Sequence, residues 1–221
     1  MTVRIAPSIL AADFCRLGAD IALCDAGGAD WIHVDVMDGR FVPNLSYGTK
    51  VIEATRRSTS GVVDVHLMVI EPERYFDEFV KAGADVLTIH AEAAPHLDRQ
   101  LVRIKELGCK AGVALNPATP LSAIEEIVHL LDVLLIMSVN PGYGGQKFIE
   151  YSVDKIERAR FLLDQADSGA ALEVDGGISR DTIERCWRAG ADTFVAGNAI
   201  FAAADPQAEI SILRSLCAER A

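Results

Sequence analysis

The chain has 221 residues, of which 50% are hydrophobic and 24% are charged. That length and apolar content suit one large folded domain and exclude a disordered chain. The formal net charge of −11 argues against sequence-independent nucleic-acid binding and against an anionic membrane surface, so neither partner is expected, and an anionic substrate would have to be held by local donors.

Cys15, Cys24, Cys109, Cys186 and Cys217 are odd in number, widely spaced and free of any Cys-x-x-Cys motif. They read as reduced thiols of a cytoplasmic protein. The N-terminal stretch shows no signal peptide, and the longest apolar runs are strand-sized, too short to span a membrane.

Short β-branched or Leu-rich runs alternate with amphipathic segments along the whole chain. A strand is expected over 3–9 and a helix over 15–26, then strand 31–36 and helix 48–58. The pattern continues with strand 62–68 and helix 72–82, strand 86–90 and helix 96–107, and strand 110–115 and helix 121–129. Strand 133–138 and helix 153–166, strand 171–175 and helix 181–189, and strand 193–196 and helix 206–220 complete it. Near-continuous apolar strands separated by helices indicate parallel pairing. Eight such units predict a single-domain TIM (β/α)8 barrel over 1–221. A doubly wound sheet is the runner-up. It usually has fewer strands, and no Gly-x-Gly-x-x-Gly follows the first strand here.

Ala26-Gly27-Gly28-Ala29-Asp30, Lys81-Ala82-Gly83-Ala84-Asp85 and Arg188-Ala189-Gly190-Ala191-Asp192 form a weak internal repeat, each leaving a helix and entering a strand. Their glycines read as helix C-caps at the bottom of the barrel.

Barrel active sites lie at the C-terminal ends of the strands. Alternation in the second strand puts His33, Asp35 and Met37 on one face. A buried carboxylate there needs a partner such as a metal, a proton or a cation. The third strand contributes His66 and Met68, the sixth Met137, and the seventh ends at Asp175. Two histidines and two aspartates from three strands can converge on the barrel axis, and that set suits one divalent Zn²⁺, Fe²⁺, Mn²⁺ or Co²⁺. The methionines are ordinarily core filler, but Met37, Met68 and Met137 also suggest an apolar wall against a planar intermediate. His90 reads as a supporting or structural residue, and His96 and His129 as residues of helix surfaces.

Glycine-bearing loops follow the last three strands: Gly142-Tyr143-Gly144-Gly145-Gln146, Gly176-Gly177 and Gly197-Asn198. The last two occupy the place where many barrels bind phosphate at a short extra helix, here 198–202. Backbone N–H groups would receive a dianion without basic side chains. Lys147 reads as a solvated lysine.

Several long motifs resemble one family. They are Ala6-Pro7-Ser8-Ile9-Leu10-Ala11-Ala12-Asp13-Phe14, the stretch from His33 to Asn44, and Asp64-Val65-His66-Leu67-Met68-Val69. Val139-Asn140-Pro141-Gly142-Tyr143-Gly144-Gly145-Gln146-Lys147-Phe148 and Val174-Asp175-Gly176-Gly177-Ile178 complete the set. In order and spacing they resemble the ribulose-phosphate 3-epimerases over essentially the whole chain. The resemblance implies a metal-dependent interconversion of D-ribulose 5-phosphate and D-xylulose 5-phosphate in the pentose phosphate pathway or in carbon fixation. It implies His33, Asp35, His66 and Asp175 as metal ligands and Asp35 and Asp175 as the acid/base pair. Ser8 and His66 would contact substrate, and the protein would be a homo-oligomer, a dimer or a hexamer. The family usually has Gly-Ser after the eighth strand, where this chain has Gly197-Asn198.

The chemistry of the residues agrees. Inverting a carbon next to a ketone needs a proton removed from one face and returned on the other. Two carboxylates flanking a flat enediolate can do this, with a metal stabilising the negative charge. The related decarboxylases and aldolases typically carry Asp-x-Lys-x-x-Asp on the second strand, whereas this chain has Asp35-Val36-Met37-Asp38. A non-catalytic sugar-phosphate binder would need no paired carboxylates. A 3-epimerase of a six-carbon ketose phosphate such as allulose 6-phosphate is the nearest rival.

Overall fold

Trp31–Met37 and Val62–Met68 show most plainly why this chain forms strands. Both are rich in β-branched residues, and both are covered on the two faces of a sheet. The structure, a computed structural model, describes residues 2–217. Its strands are β1 (Arg4–Pro7), β2 (Trp31–Met37), β3 (Val62–Met68), β4 (Val86–His90), β5 (Lys110–Leu115), β6 (Val133–Met137), β7 (Ala171–Asp175) and β8 (Thr193–Ala196). All pair in parallel in the order β1-β8-β7-β6-β5-β4-β3-β2. Only β1 and β2 lack a ladder, and a parallel bridge between Ser8 and His33 joins them. With helices between the strands, this is the expected (β/α)8 barrel.

The helices are α1 (Leu17–Ala26), α2 (Thr49–Ser58), α3 (Phe76–Ala82), α4 (Leu97–Glu106), α5 (Ser152–Gln165), α6 (Ile183–Arg188), α7 (Asn198–Phe201) and α8 (Pro206–Ser215). The last is started by Asp205, whose side chain accepts from the Ala208 N–H, with Pro206 in the first turn. The helix expected to reach 220 ends at Ser215, with Leu216 and Cys217 in a turn, and the rest of the expected span lies outside the described residues. Outward strand residues such as Ile32, Val34, Val65, Leu67, Leu134, Ile136 and Phe194 pack against Ile21, Ile52, Phe76, Leu101, Ile156 and Leu213 of the helices. This layer holds most of the buried apolar surface.

Among the boundaries that differ from the sequence expectation, three have a local cause. The first strand ends at Pro7, because Ser8 opens a 3₁₀ turn over Ile9–Ala11. The helix expected over 72–82 begins as a 3₁₀ turn, Pro72–Arg74, and becomes α-helical only from Phe76. The helix expected over 121–129 is two 3₁₀ segments, Leu121–Ala123 and Glu125–Leu130. Its apolar residues Leu121, Ile124, Ile127 and Leu130 recur every third position, which matches three residues per turn rather than 3.6.

The repeat Ala-Gly-Ala-Asp is explained at the bottom of the barrel. Gly83 caps α3 with φ of 108°, a conformation open to glycine. The aspartate that follows bonds to a neighbouring strand. Asp30 Oδ2 accepts from the Ile5 N–H at 2.8 Å and Asp85 Oδ2 from the Val63 N–H at 2.8 Å. Arg214 and Arg56 neutralise these carboxylates, each at 2.8 Å or less. Asp132 does the same for Ala111 without belonging to the repeat.

Inside, the barrel is layered. In one cluster with Ala6 and Val195 higher up, Trp31, Val86, Val133 and Ala171 fill the bottom with apolar side chains. Above them lies a polar layer of His33, Asp64, Thr88, Glu173 and Thr193, all fully buried.

Candidate active site

Strand alternation and register bring the site together. Asp35 lies beside His66 and His33 beside Asp64 on the β2–β3 ladder, and Met137 lies beside Asp175 on β6–β7. One nitrogen each from His33 and His66 and one oxygen each from Asp35 and Asp175 all lie within 4.8 Å of one another. His33 Nε2 is 3.3 Å and His66 Nδ1 is 3.1 Å from Asp35 Oδ1. The Ser8 hydroxyl donates to Asp35 Oδ2 at 2.6 Å.

These side chains meet the floor of a cavity of about 370 Å³. Ser8, Asp35, Met37, Met68, Met137 and Asp175 form its floor and wall. The glycine loops, Gly142 to Gly145, Gly176-Gly177 and Gly197-Asn198, form its rim, with Tyr143 among them. His33 and His66 lie beneath that floor, fully buried, and do not line it. Asn198 packs its side-chain nitrogen against Gly145, where a Cβ would come within 2.6 Å of it. The exposed Lys147 is not on the cavity wall.

The four-residue set fits a divalent cation. His33 Nε2 is buried and has no hydrogen-bond partner, although it faces a carboxylate. Such an orphan is costly in a protein interior, and a cation between the two imidazoles and two carboxylates would complete it. A lower group, His33, Asp64 and Glu173, is sealed from solvent, and His33 Nδ1 meets Asp64 Oδ2 at 2.6 Å, a hydrogen-bond length. That group orients the ring rather than offering a second open site.

In the metal-free protein the electrostatics separate the two aspartates. Burial works against ionised Asp35, but His33 and His66 outweigh it and hold Asp35 well below the usual carboxylate range. Burial works against charged His33 as well, yet Asp35 and Asp64 hold it well above its ordinary value. Burial and then the Asp35 charge push Asp175 up to about 6. Burial and the neighbouring Asp64 raise Glu173 well above its ordinary value. Cys24, Cys109, Cys186 and Cys217 are buried free thiols pushed up to about 12, first by burial, and none lines the cavity.

Several residues here escaped the sequence reading. Asp64 and Glu173 stand two positions before His66 and Asp175 on the same strand faces, so the alternation that exposed the one pair also pointed to the other. Leu10 lines the cavity from the 3₁₀ turn after β1 and Asn44 from the loop after β2, where no periodicity marks them.

The fold and this centre define a barrel enzyme for a small molecule, with two carboxylates and two imidazoles at the C-terminal mouth. A family model described as the ribulose-phosphate 3 epimerase family matches residues 4–201. A ribulose-phosphate 3-epimerase of Synechocystis sp. is 51% identical over 201 residues, covering 90% of this chain and 87% of that protein. One from Bacillus subtilis is 49% identical over 213 residues, covering 96% and 98%. The chain belongs to the ribulose-phosphate 3-epimerase family. A solved 3-hexulose-6-phosphate synthase of Salmonella typhimurium superposes with a TM-score of 0.68 at 20% identity, covering 98% of each chain. That likeness concerns the fold alone.

Proposed function

We propose that this enzyme interconverts D-ribulose 5-phosphate and D-xylulose 5-phosphate by moving the C3 proton between two carboxylates. The observation that carries the reading is the pair Asp35 and Asp175. They stand on β2 and β7, face one cavity, and have their affinities for a proton shifted in opposite directions. Two carboxylates with separated affinities for a proton are what an acid/base pair requires.

Asp35, ionised and held by the Ser8 hydroxyl, takes the C3 proton of one epimer. Asp175, whose affinity for a proton is raised, returns one to the opposite face. In the reverse direction the roles exchange. Met37, Met68 and Met137 keep water from the flat enediolate between them. The Gly176-Gly177 and Gly197-Asn198 loops receive the phosphate through backbone N–H groups, and the Gly142–Gly145 loop and Tyr143 cover the substrate. His33, Asp35, His66 and Asp175 hold one divalent ion. When bound, that ion supplies Lewis-acid stabilisation of negative charge beside the ketone.

The reading includes a homo-oligomer, dimer or hexamer, and a cytoplasmic location. Among the described residues no helix is long and apolar enough to cross a membrane. Mass by light scattering decides the assembly.

The test compares turnover of five- and six-carbon ketose 5- and 6-phosphates by the purified enzyme. Ribulose 5-phosphate should give the higher kcat/KM. A higher value with allulose 6-phosphate would transfer the assignment to the six-carbon rival.

A further inference from the structure

Glu92 and His90 have no part in the proton transfer, yet they form a hydrogen-bonded line that ends on His66. We propose that Glu92 and His90 are positioning residues that fix which ring nitrogen His66 turns toward the metal set. The inference rests on the metal reading above.

His66 Nδ1 faces the set, 3.1 Å from Asp35 Oδ1. Its Nε2 points the other way, 2.8 Å from His90 Nε2. A nitrogen that binds a cation carries no proton, so His66 must carry its proton on Nε2. Two imidazole nitrogens 2.8 Å apart share one hydrogen, and His90 Nε2 is then the acceptor. The His90 proton sits on Nδ1, which lies 3.1 Å from Glu92 Oε2. A carboxylate only accepts, so Glu92 sets the direction of the whole line. With the protons reversed, a lone pair of His90 would face a carboxylate oxygen.

Glu92 is itself anchored. Its Oε1 accepts from the Asn116 N–H at 2.8 Å and from the Thr119 hydroxyl. The buried Lys155 donates to the Asn116 carbonyl at 2.7 Å and so steadies the loop after β5. Both imidazoles are fully buried. The Phe41 ring lies 4.6 Å from that of His90, and the His66 ring 4.9 Å from it. Gly112 and Ala114 of the adjoining β5 leave room for the larger Thr88 and His90, their partners on β4. His33, the other imidazole of the set, is held by Asp64 at 2.6 Å. Each imidazole thus has a carboxylate behind it, directly for His33 and through a second imidazole for His66. Partners of this kind orient metal-binding histidines and raise their basicity, and losing one typically costs 10- to 100-fold in metal affinity.

The test is titration of the metal-free full chain with Co²⁺, read by d–d absorption, beside thermal melting of the metal-free form. Glu92→Gln and His90→Leu should weaken Co²⁺ binding about 10- to 100-fold with little change in the metal-free melt. His90→Gln should recover most of the loss, because its amide accepts from His66 Nε2–H and donates to Glu92. If His90→Leu does not fold, Glu92→Gln carries the comparison. In Zn²⁺-loaded protein, ¹⁵N NMR should place the His66 proton on Nε2. Equal Co²⁺ affinity in the parent and Glu92→Gln would overturn the relay and leave the metal reading standing, as would a His66 proton on Nδ1. A parent that binds no Co²⁺ would overturn both.

Discussion

The Ser8 hydroxyl donates to the Asp35 carboxylate at 2.6 Å, across the one seam of the barrel that has no ladder. The bond ties β1 to β2 just where the single bridge from Ser8 to His33 closes the sheet. It also fixes the orientation of the Asp35 carboxylate, the base in the proposed reaction. A hydrogen bond to a charged group is worth roughly 1.5–3 kcal/mol. Ser8→Ala should therefore lower kcat by about tenfold or more, with KM and the melting temperature changed little. A parent-like kcat would remove Ser8 from the mechanism.

Chelation should abolish activity, and Zn²⁺, Mn²⁺ or Co²⁺ should restore it, with about one ion per chain by elemental analysis. His66→Ala should lose the ion yet keep its far-ultraviolet circular dichroism, because the main apolar core lies between strands and helices, outside the barrel. Full turnover by metal-free protein would reject the metal assignment.

Asp175 sets a pH dependence in the metal-free protein. Burial, then the Asp35 charge, raises it from 3.8 to about 6. The folded chain then holds this proton more tightly than the unfolded chain, so stability falls as pH rises from about 4 to about 6. Above that window the ionised group costs free energy. Its side chain is partly open to the cavity, so the cost is on the order of 1 kcal/mol rather than the roughly 3 of a full two-unit shift. Metal-free Asp175→Asn should melt above the parent at pH 8 and level with it at pH 4. Saturating Zn²⁺ should reverse the order at pH 8. Identical melting curves at every pH would contradict the shift.

The two loops proposed to bind phosphate differ in what a side chain would meet. At Gly197 an added Cβ would touch Ala11 Cβ at 3.4 Å and Ser8 Cβ at 3.7 Å, which are ordinary contacts. Gly197→Ala should fold normally and raise KM about tenfold, the loss of roughly 1.4 kcal/mol of phosphate binding. At Gly177 φ is +64° and a Cβ would lie 2.8 Å from the Phe148 nitrogen. Gly177→Ala should lose stability, about 1–2 kcal/mol from the left-handed backbone alone, before the clash is counted. Denaturant melts and initial rates separate the two effects. An unchanged KM in Gly197→Ala would move the phosphate elsewhere.

If Asp35 and Asp175 flank the sugar, each epimer loses its C3 proton to a different one. Asp35→Asn and Asp175→Asn should each slow epimerisation at least ~10²-fold. Each should still exchange the C3 hydrogen of one epimer with D₂O, and the two should prefer opposite epimers. Metal content must be matched, because both residues belong to the metal set. A metal-loaded Asp175→Asn enzyme working at near the parent rate would end the two-base mechanism.

Much of the molecule was determined locally and could be read as such. β-branched runs and Gly-capped helices define the strands, and a period of two placed His33 with Asp35 and Met37. A strand residue's face follows from its neighbours two positions away, so the strand residues of the cavity floor were legible in the sequence, and the rim was legible from its glycine pairs. The tertiary structure decided what depends on register between distant segments. That His66 meets His90, that Asp64 and Glu173 gather beneath His33, and that Ser8 closes the barrel on Asp35 are contacts across ladders or seams. No local pattern encodes them, because hydrogen-bond partners in a closed barrel are set by how all eight strands stagger together. The 3₁₀ segments between β5 and β6 belong with what is local, since Leu121, Ile124, Ile127 and Leu130 recur every third position.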